Sequence, residues 1–222
     1  MNSEGEHIKI LRKSIGMSQR EFADHLGISV RTIQDWEVGR RVPPSYVPRL
    51  LAYRVEYERV CKSQKVLIAY FANTSAEMLV SGLAFDSVSL PSDKEKDIEI
   101  LLSEMQKKEY EYIICVGQKP GLVDSVRIET EAHGERTLHS KFDCKHFSEI
   151  LRENGVQAAL SSKPGNSFCN NIFYAGLEYI AEHNKTSKMC FLHVPYSDKI
   201  SDVDMFHERL EASIRQVIFA NI

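Results

Sequence analysis

No apolar run in this 222-residue chain approaches the roughly 20 residues needed to span a bilayer. The opening stretch, Met1 to Lys13, is charged and has no hydrophobic centre of the kind a signal peptide needs. The expectation is a protein that stays in the cytoplasm and makes no use of a membrane. Cysteine is scarce: five residues, Cys61, Cys115, Cys144, Cys169 and Cys190, odd in number, widely spaced and never as CxxC. Such spacing offers neither a disulfide framework nor a zinc site, so a special cysteine would act alone as a nucleophile. His133, His139 and His146 have no ligand spacing around them either. Internal repeats and low-complexity stretches are lacking, and 43% apolar with 27% charged side chains is the balance of a globular chain.

A formal charge of −3 conceals an asymmetry. Residues 1–62 hold 11 basic against 8 acidic side chains, net +3, whereas residues 63–222 hold 17 against 23, net −6. The pattern of apolar residues changes at the same place, near Cys61-Lys62-Ser63-Gln64. Two domains are expected, 1–62 and 63–222.

In the first, apolar residues recur at helical spacing: Ile8, Leu11 and Ile15, then Phe22, Ala23 and Leu26, then Ile33 and Trp36, then Val47, Leu50 and Leu51. Ser18 stands three residues before Glu21, the spacing of a capping box, and Ser29 opens a second segment. Gly16 and Gly27 supply turns, and Pro43-Pro44-Ser45 ends one segment and starts the next. The product is a compact all-α module. The run from Met17-Ser-Gln-Arg-Glu-Phe-Ala to Ile-Gln-Asp-Trp-Glu-Val-Gly-Arg-Arg-Val-Pro resembles the helix-turn-helix of the Xre and phage-repressor family, over about Ile8 to Leu51. That resemblance implies a five-helix DNA-binding domain whose helix from Ser29 enters the major groove, with a homodimer on a double-stranded operator as the expected arrangement. Val30, Arg31, Gln34 and Asp35 would face base edges, Gln19, Arg20, Arg40 and Arg41 would meet phosphates, and Ser29 at the helix start belongs to the same DNA-binding set.

Beyond the boundary, short β-rich runs alternate with amphipathic helices, the signature of an α/β domain whose mostly parallel sheet lies between helices. Strands are expected at 66–72, 87–90, 112–117, 157–162 and 189–195, and helices around 98–105, 147–151, 172–180 and 206–217. The stretches 120–145 and 197–204 read as polar loops. Cys169 follows a strand and a Gly-containing turn and falls in the first turn of a helix, where free N–H groups and the helix dipole are expected to lower its pKa. His193 falls near the C-terminal end of the next strand, where ligands collect in open α/β sheets. The two could form a nucleophile–base pair.

Phe168-Cys-Asn-Asn-Ile-Phe-Tyr and Phe191-Leu-His-Val-Pro resemble the active-site signatures of the pyroglutamyl peptidase I (pyrrolidone carboxyl peptidase) family. The resemblance implies a Cys-His-Glu triad of Cys169, His193 and Glu129, a substrate pocket using Gln118, Phe71 and Asn170, and no metal or organic cofactor. The chain also departs from the family. Tyr70-Phe71-Ala72-Asn73-Thr74-Ser75 stands where the family has a Gly-Phe-x-Pro-Phe-Gly-Gly loop, and Lys119-Pro-Gly-Leu-Val replaces a Gly-Gly-Arg that follows the glutamine. The segment between Glu129 and Phe147 is shorter than the family's. Two functional readings stay open: a sequence-specific transcriptional regulator whose second domain is a sensor, dimerisation or cysteine-hydrolase module binding a small peptide or pyroglutamyl ligand, or a working cysteine peptidase that the helix-turn-helix localises.

Overall fold

The computed structural model describes residues 3–163, 167–183 and 185–219 and divides into two compact units, Met1–Ser63 and Gln64–Ile222. Four helices make the first unit among the described residues: α1 (Ser3–Ser14), α2 (Gln19–Leu26), α3 (Val30–Glu37) and α4 (Val47–Ser63). Ser18 and Glu21 close a reciprocal capping box on α2, and Gly27 ends that helix in the left-handed conformation at φ 66°, which a residue without Cβ adopts at no steric cost. Ser29 accepts from Thr32 N to cap α3. Ile8, Phe22, Ala23, Ile33, Leu51 and Val55 bury themselves together as the core. The five-helix expectation is corrected to four in this range, because Ser45 and Tyr46 form a turn that delivers the chain directly into α4.

The second unit is a three-layer α/β/α domain. Its elements are β1 (Val66–Phe71), α5 (Ser75–Val80), β2 (Asp86–Leu90), α6 (Lys94–Lys107), β3 (Tyr112–Gln118), β4 (Ser125–Glu129), β5 (Glu131–His133), β6 (Thr137–His139), α7 (Cys144–Glu153), β7 (Gln157–Ser161), α8 (Phe168–Glu182), β8 (Lys188–Val194) and α9 (Val203–Phe219). The six-stranded sheet runs β2-β1-β3-β8-β4-β7, parallel except where β4 meets β8, and β5 pairs with β6 in a separate hairpin. Strand alternation divides the core between two faces. Leu67, Ala69, Phe71, Ile113, Cys115, Met189 and Phe191 pack with Leu101, Met105, Ile172, Phe173 and Leu177 of α6 and α8. Helices α5, α7 and α9 cover the other face.

The stretch 120–145 is not the polar loop expected. It contains β4, which enters the middle of the sheet, and the β5–β6 hairpin. The turn over 197–199 is 3-10 helical.

Candidate active site and candidate nucleic-acid interface

β4 runs against β8 with Arg127 opposite His193 and Glu129 opposite Phe191. Glu129 and His193 are therefore diagonal neighbours on one face of the sheet, within reach of each other's side chains. Glu129 Oε1 accepts a hydrogen bond from His193 Nδ1 at 2.9 Å, in an interior where the two residues are 1% and 2% exposed. A carboxylate only accepts, so Nδ1 carries the imidazole proton and Nε2 keeps a lone pair. Burial would push the Glu129 carboxyl up, but the His193 hydrogen bond, with Ser161 and Lys119 behind it, holds it below its ordinary value. Burial also holds the His193 imidazole below its ordinary value, against the pull of Glu129. At neutral pH the pair is a carboxylate and a neutral base.

A cavity of about 410 Å³ opens at the C-terminal ends of β1, β3 and β8, lined by Phe71, Thr74, Ser92, Gln118, Lys119, Pro120, Ser167, Phe168, Cys169, His193 and Tyr196. Cys169 is the second residue of α8, after Ser167 at the N-cap, so first-turn N–H groups lie beside its sulfur. The preceding Pro164-Gly165-Asn166, including the expected glycine turn, lies outside the described residues. The thiol is not lowered as expected: burial pushes it up to about 11, and its own N–H, Ser167 and Lys119 counter that only in part. Gly117, opposite His193 in the β3–β8 ladder, makes room for the sulfur, since a Cβ there would stand 3.0 Å from Sγ.

Of the expected pocket residues, Phe71 and Gln118 line the cavity and Asn170 does not. The loop that departs from the family's glycine-rich sequence has a use here. Thr74 caps α5, and Ser75 donates from its backbone N to Gln118 Oε1 at 3.2 Å while its hydroxyl donates to Pro195 O at 2.5 Å. The amide of Gln118 is thereby fixed with its carbonyl occupied, leaving Nε2 as the donor. Asn170 is buried and spends both ends of its amide on the β5 backbone, accepting from His133 N at 2.9 Å and donating to His133 O at 2.7 Å. It pins the hairpin to α8 and is corrected from pocket residue to structural clamp. Lys119 is the residue that sequence reasoning missed: its ammonium is 3.4 Å from Glu129 Oε1 and lies on the cavity wall. A basic side chain directly after Gln118, at the C-terminal end of a central strand, was the available signal.

In the first unit the expected DNA-facing residues sort into exposed and engaged. Arg20, Ser29, Arg31, Arg40 and Arg41 are exposed, and Gln34 is half-buried. Arg31, Arg40 and Arg41 converge on Asp35 at 3.4, 3.5 and 3.7 Å. Asp35 is buried and so does not face outward. Val30 is half-buried and packs in part against the helical core. Gln19 donates to Glu37 Oε2 at 2.8 Å and joins the two-point Arg12–Glu37 pair, so one of its two amide N–H groups is already engaged.

The helix-turn-helix family model matches residues 8–51, and the pyroglutamyl peptidase family model matches residues 122–207. The second range contains Glu129, Cys169 and His193 and begins after Phe71 and Gln118. The pyrrolidone-carboxylate peptidase of Alkaliphilus oremlandii is 24% identical over 139 residues, covering 53% of this chain and 65% of the relative. That of Bacillus cytotoxicus is 28% identical over 138 residues, covering 52% and 64%. The chain thus spans less than two thirds of the length of these relatives. Among solved structures, pyroglutamyl peptidase I of Bacillus amyloliquefaciens superposes with a TM-score of 0.62 at 21% identity, over 72% of this chain and 98% of that one. The pyrrolidone carboxyl peptidase of Thermococcus litoralis gives 0.60 at 16%, over 70% and 93%.

At those identities the structural likeness is one of fold. The class is a two-domain protein, an all-α helix-turn-helix unit followed by an α/β unit with a mixed, mostly parallel sheet. More particularly, the chain joins an N-terminal helix-turn-helix domain to a C-terminal pyroglutamyl-peptidase-like domain.

Proposed function

We propose that the C-terminal domain is a cysteine peptidase that removes an N-terminal pyroglutamyl residue, and that the helix-turn-helix domain localises it on DNA. The observation that carries this reading is the buried His193–Glu129 hydrogen bond, whose imidazole shares a cavity with Cys169. A neutral Nε2 on that wall is suited to take the thiol proton as Sγ attacks the acyl carbon. First-turn N–H groups of α8 are suited to hold the oxyanion. His193 then returns the proton to the departing amine as the C–N bond breaks, and water hydrolyses the thioester to release the acid. Phe71 offers an apolar wall for the lactam ring, and Gln118 Nε2 offers a donor to its carbonyl.

Because the resting thiol sits near 11, attack and proton transfer are coupled, and the enzyme works as a thiol–imidazole pair that ionises on demand. The test is hydrolysis of a fluorogenic pyroglutamyl amide by the full chain beside Cys169→Ala. Turnover abolished by the substitution supports the reading. No turnover and no acyl-enzyme in wild-type protein removes it.

A regulator whose second domain senses a pyroglutamyl ligand is the second reading. The exposed Arg31, Arg40 and Arg41 beside a helix-turn-helix match favour it. Ligand-dependent change in duplex DNA affinity of the Cys169→Ala protein, which would bind without cleaving, separates it from the first.

A further inference from the structure

Lys119 is unaccounted for by the reaction described above, yet it touches the acid–base pair. Its ammonium lies 3.4 Å from Glu129 Oε1, the oxygen that also accepts from His193 Nδ1. Among the described residues on the cavity wall it is the only lysine, arginine, aspartate or glutamate. The root of the side chain is fixed as well, since Lys119 N donates to Val194 O at 2.9 Å, extending the β3–β8 ladder by one rung.

We propose that Lys119 is a positioning residue: it clamps the Glu129 carboxylate against His193 and sets a fixed positive charge beside the Cys169 sulfur. This rests on reading Cys169 as the nucleophile. A carboxylate as buried as Glu129 is costly unless its charge is compensated; the hydrogen bonds from His193 and Ser161 contribute first, and the Lys119 ammonium adds a positive charge while His193 is neutral at rest. Sharing one oxygen between two donors also fixes the carboxylate's rotation, and with it the plane of the imidazole. The charge acts on the sulfur too. The groups acting on Cys169 are Lys119 from the end of β3, Glu129 from β4 and Cys115 from within β3, with His193 of β8 on the same wall. Those acting on His193 are Glu129 and Arg127 of β4 and Lys119. Lys119 favours the thiolate and disfavours a resting imidazolium, which keeps the base free while making the nucleophile easier to ionise.

A positive charge near the sulfur eases its ionisation for either reagent and, in addition, attracts an anionic one. Alkylation of Cys169 in the full chain, followed site by site by mass spectrometry, is compared for iodoacetate and iodoacetamide in wild type, Lys119→Met and Lys119→Arg. Loss of one nearby charge, partly screened by solvent, lowers the iodoacetate-to-iodoacetamide rate ratio by about fivefold in Lys119→Met, and Lys119→Arg retains it within about twofold. The iodoacetamide rate falls in Lys119→Met as well, because the thiol becomes harder to ionise. Lys119→Gln replaces the Met variant if thermal unfolding shows that variant to be unfolded. An unchanged ratio in a folded variant whose Cys169 still reacts faster than buried Cys144 overturns the role of Lys119 and leaves the nucleophile standing. Wild-type Cys169 reacting no faster than Cys144 overturns the nucleophile, and this proposal with it.

Discussion

Replacing Glu129 by Gln removes one charge from the buried pair and almost nothing else. The amide keeps an oxygen where Oε1 now accepts from His193 at 2.9 Å, so geometry survives while charge does not. When His193 takes the thiol proton it becomes an imidazolium, and the carboxylate then stabilises it most. At about 4 Å between charge centres and an effective dielectric of about 20, that attraction is about 4 kcal/mol, and a hydrogen bond to a charged group contributes about 1.5–3 kcal/mol. A loss of roughly 2–4 kcal/mol in the transition state corresponds to a kcat about 30- to 1000-fold lower. Glu129 is not on the cavity wall, so KM should stay within about twofold. Lys119 loses its partner in this variant, but it is 23% exposed and can turn to water. The assay is hydrolysis of the fluorogenic pyroglutamyl amide, with thermal unfolding confirming the fold. A folded variant with kcat within about threefold of wild type refutes an orienting role for Glu129.

Four further outcomes follow from the same geometry. Gly117→Ala sets a Cβ 3.0 Å from Cys169 Sγ and 3.1 Å from the Phe191 ring, so Cys169 alkylation and kcat should both fall at least about tenfold; unchanged alkylation would show that the sulfur has room to move. Asn170→Ala removes two part-buried hydrogen bonds to the β5 backbone and should destabilise the domain by about 1–2 kcal/mol in urea titration, with KM unaltered. His193 and Glu129 are both held below their ordinary values, so the folded state binds fewer protons and stability falls as pH drops below about 6.5; Cys169 and Cys144, pushed up to about 11, withdraw stability as pH rises from their ordinary values toward that figure. A urea midpoint that climbs between pH 7 and pH 5 contradicts this. Arg40→Ala and Arg41→Ala should each weaken duplex DNA binding and reduce its salt slope by about 1, measured by fluorescence anisotropy; no change in either removes these side chains from the interface.

Elements that bury apolar residues at a regular spacing were legible in the sequence. The α2 and α3 helices, β1, β3 and β8, and the stripes of α6 to α9 all advertise themselves by periodicity and caps. β4 does not. Ser125-Val-Arg-Ile-Glu has only two apolar residues, and the face they leave open carries Arg127 and Glu129, whose place in the sheet is justified by His193 and not by hydrophobic burial. A strand of this kind reads as polar loop. α5 escaped for a similar reason, being six residues long and held by Thr74 and Ser75.

At the candidate site, residue types and their positions at strand and helix ends pointed to Cys169, His193, Phe71 and Gln118, which do line one cavity. Three-dimensional placement was needed for the rest. Neighbours of a reactive residue in sequence face different ways on a helix, so Asn170, next to Cys169, turns to the hairpin. The depressed thiol expected from the helix start failed because burial outweighs the dipole. Contacts that no spacing announces also touch the helical unit, where Val30 leans partly on the core and Gln19 donates to Glu37.

The reversed strand β4 has an implication for how such a protein can diversify. Because β4 threads back beside β8, the carboxylate and histidine meet although they are 64 residues apart, with Cys169 between them in the chain. Glu129, Cys169 and His193 all lie after residue 128, whereas Phe71, Thr74, Ser92 and Gln118, which line the cavity with Cys169 and His193, all precede residue 119. Inheritance can therefore treat the two sets of residues separately. Substitutions in the earlier half can redraw what the cavity admits while the later trio passes on intact, and the altered loop at Ala72 to Ser75 is where such redrawing would register.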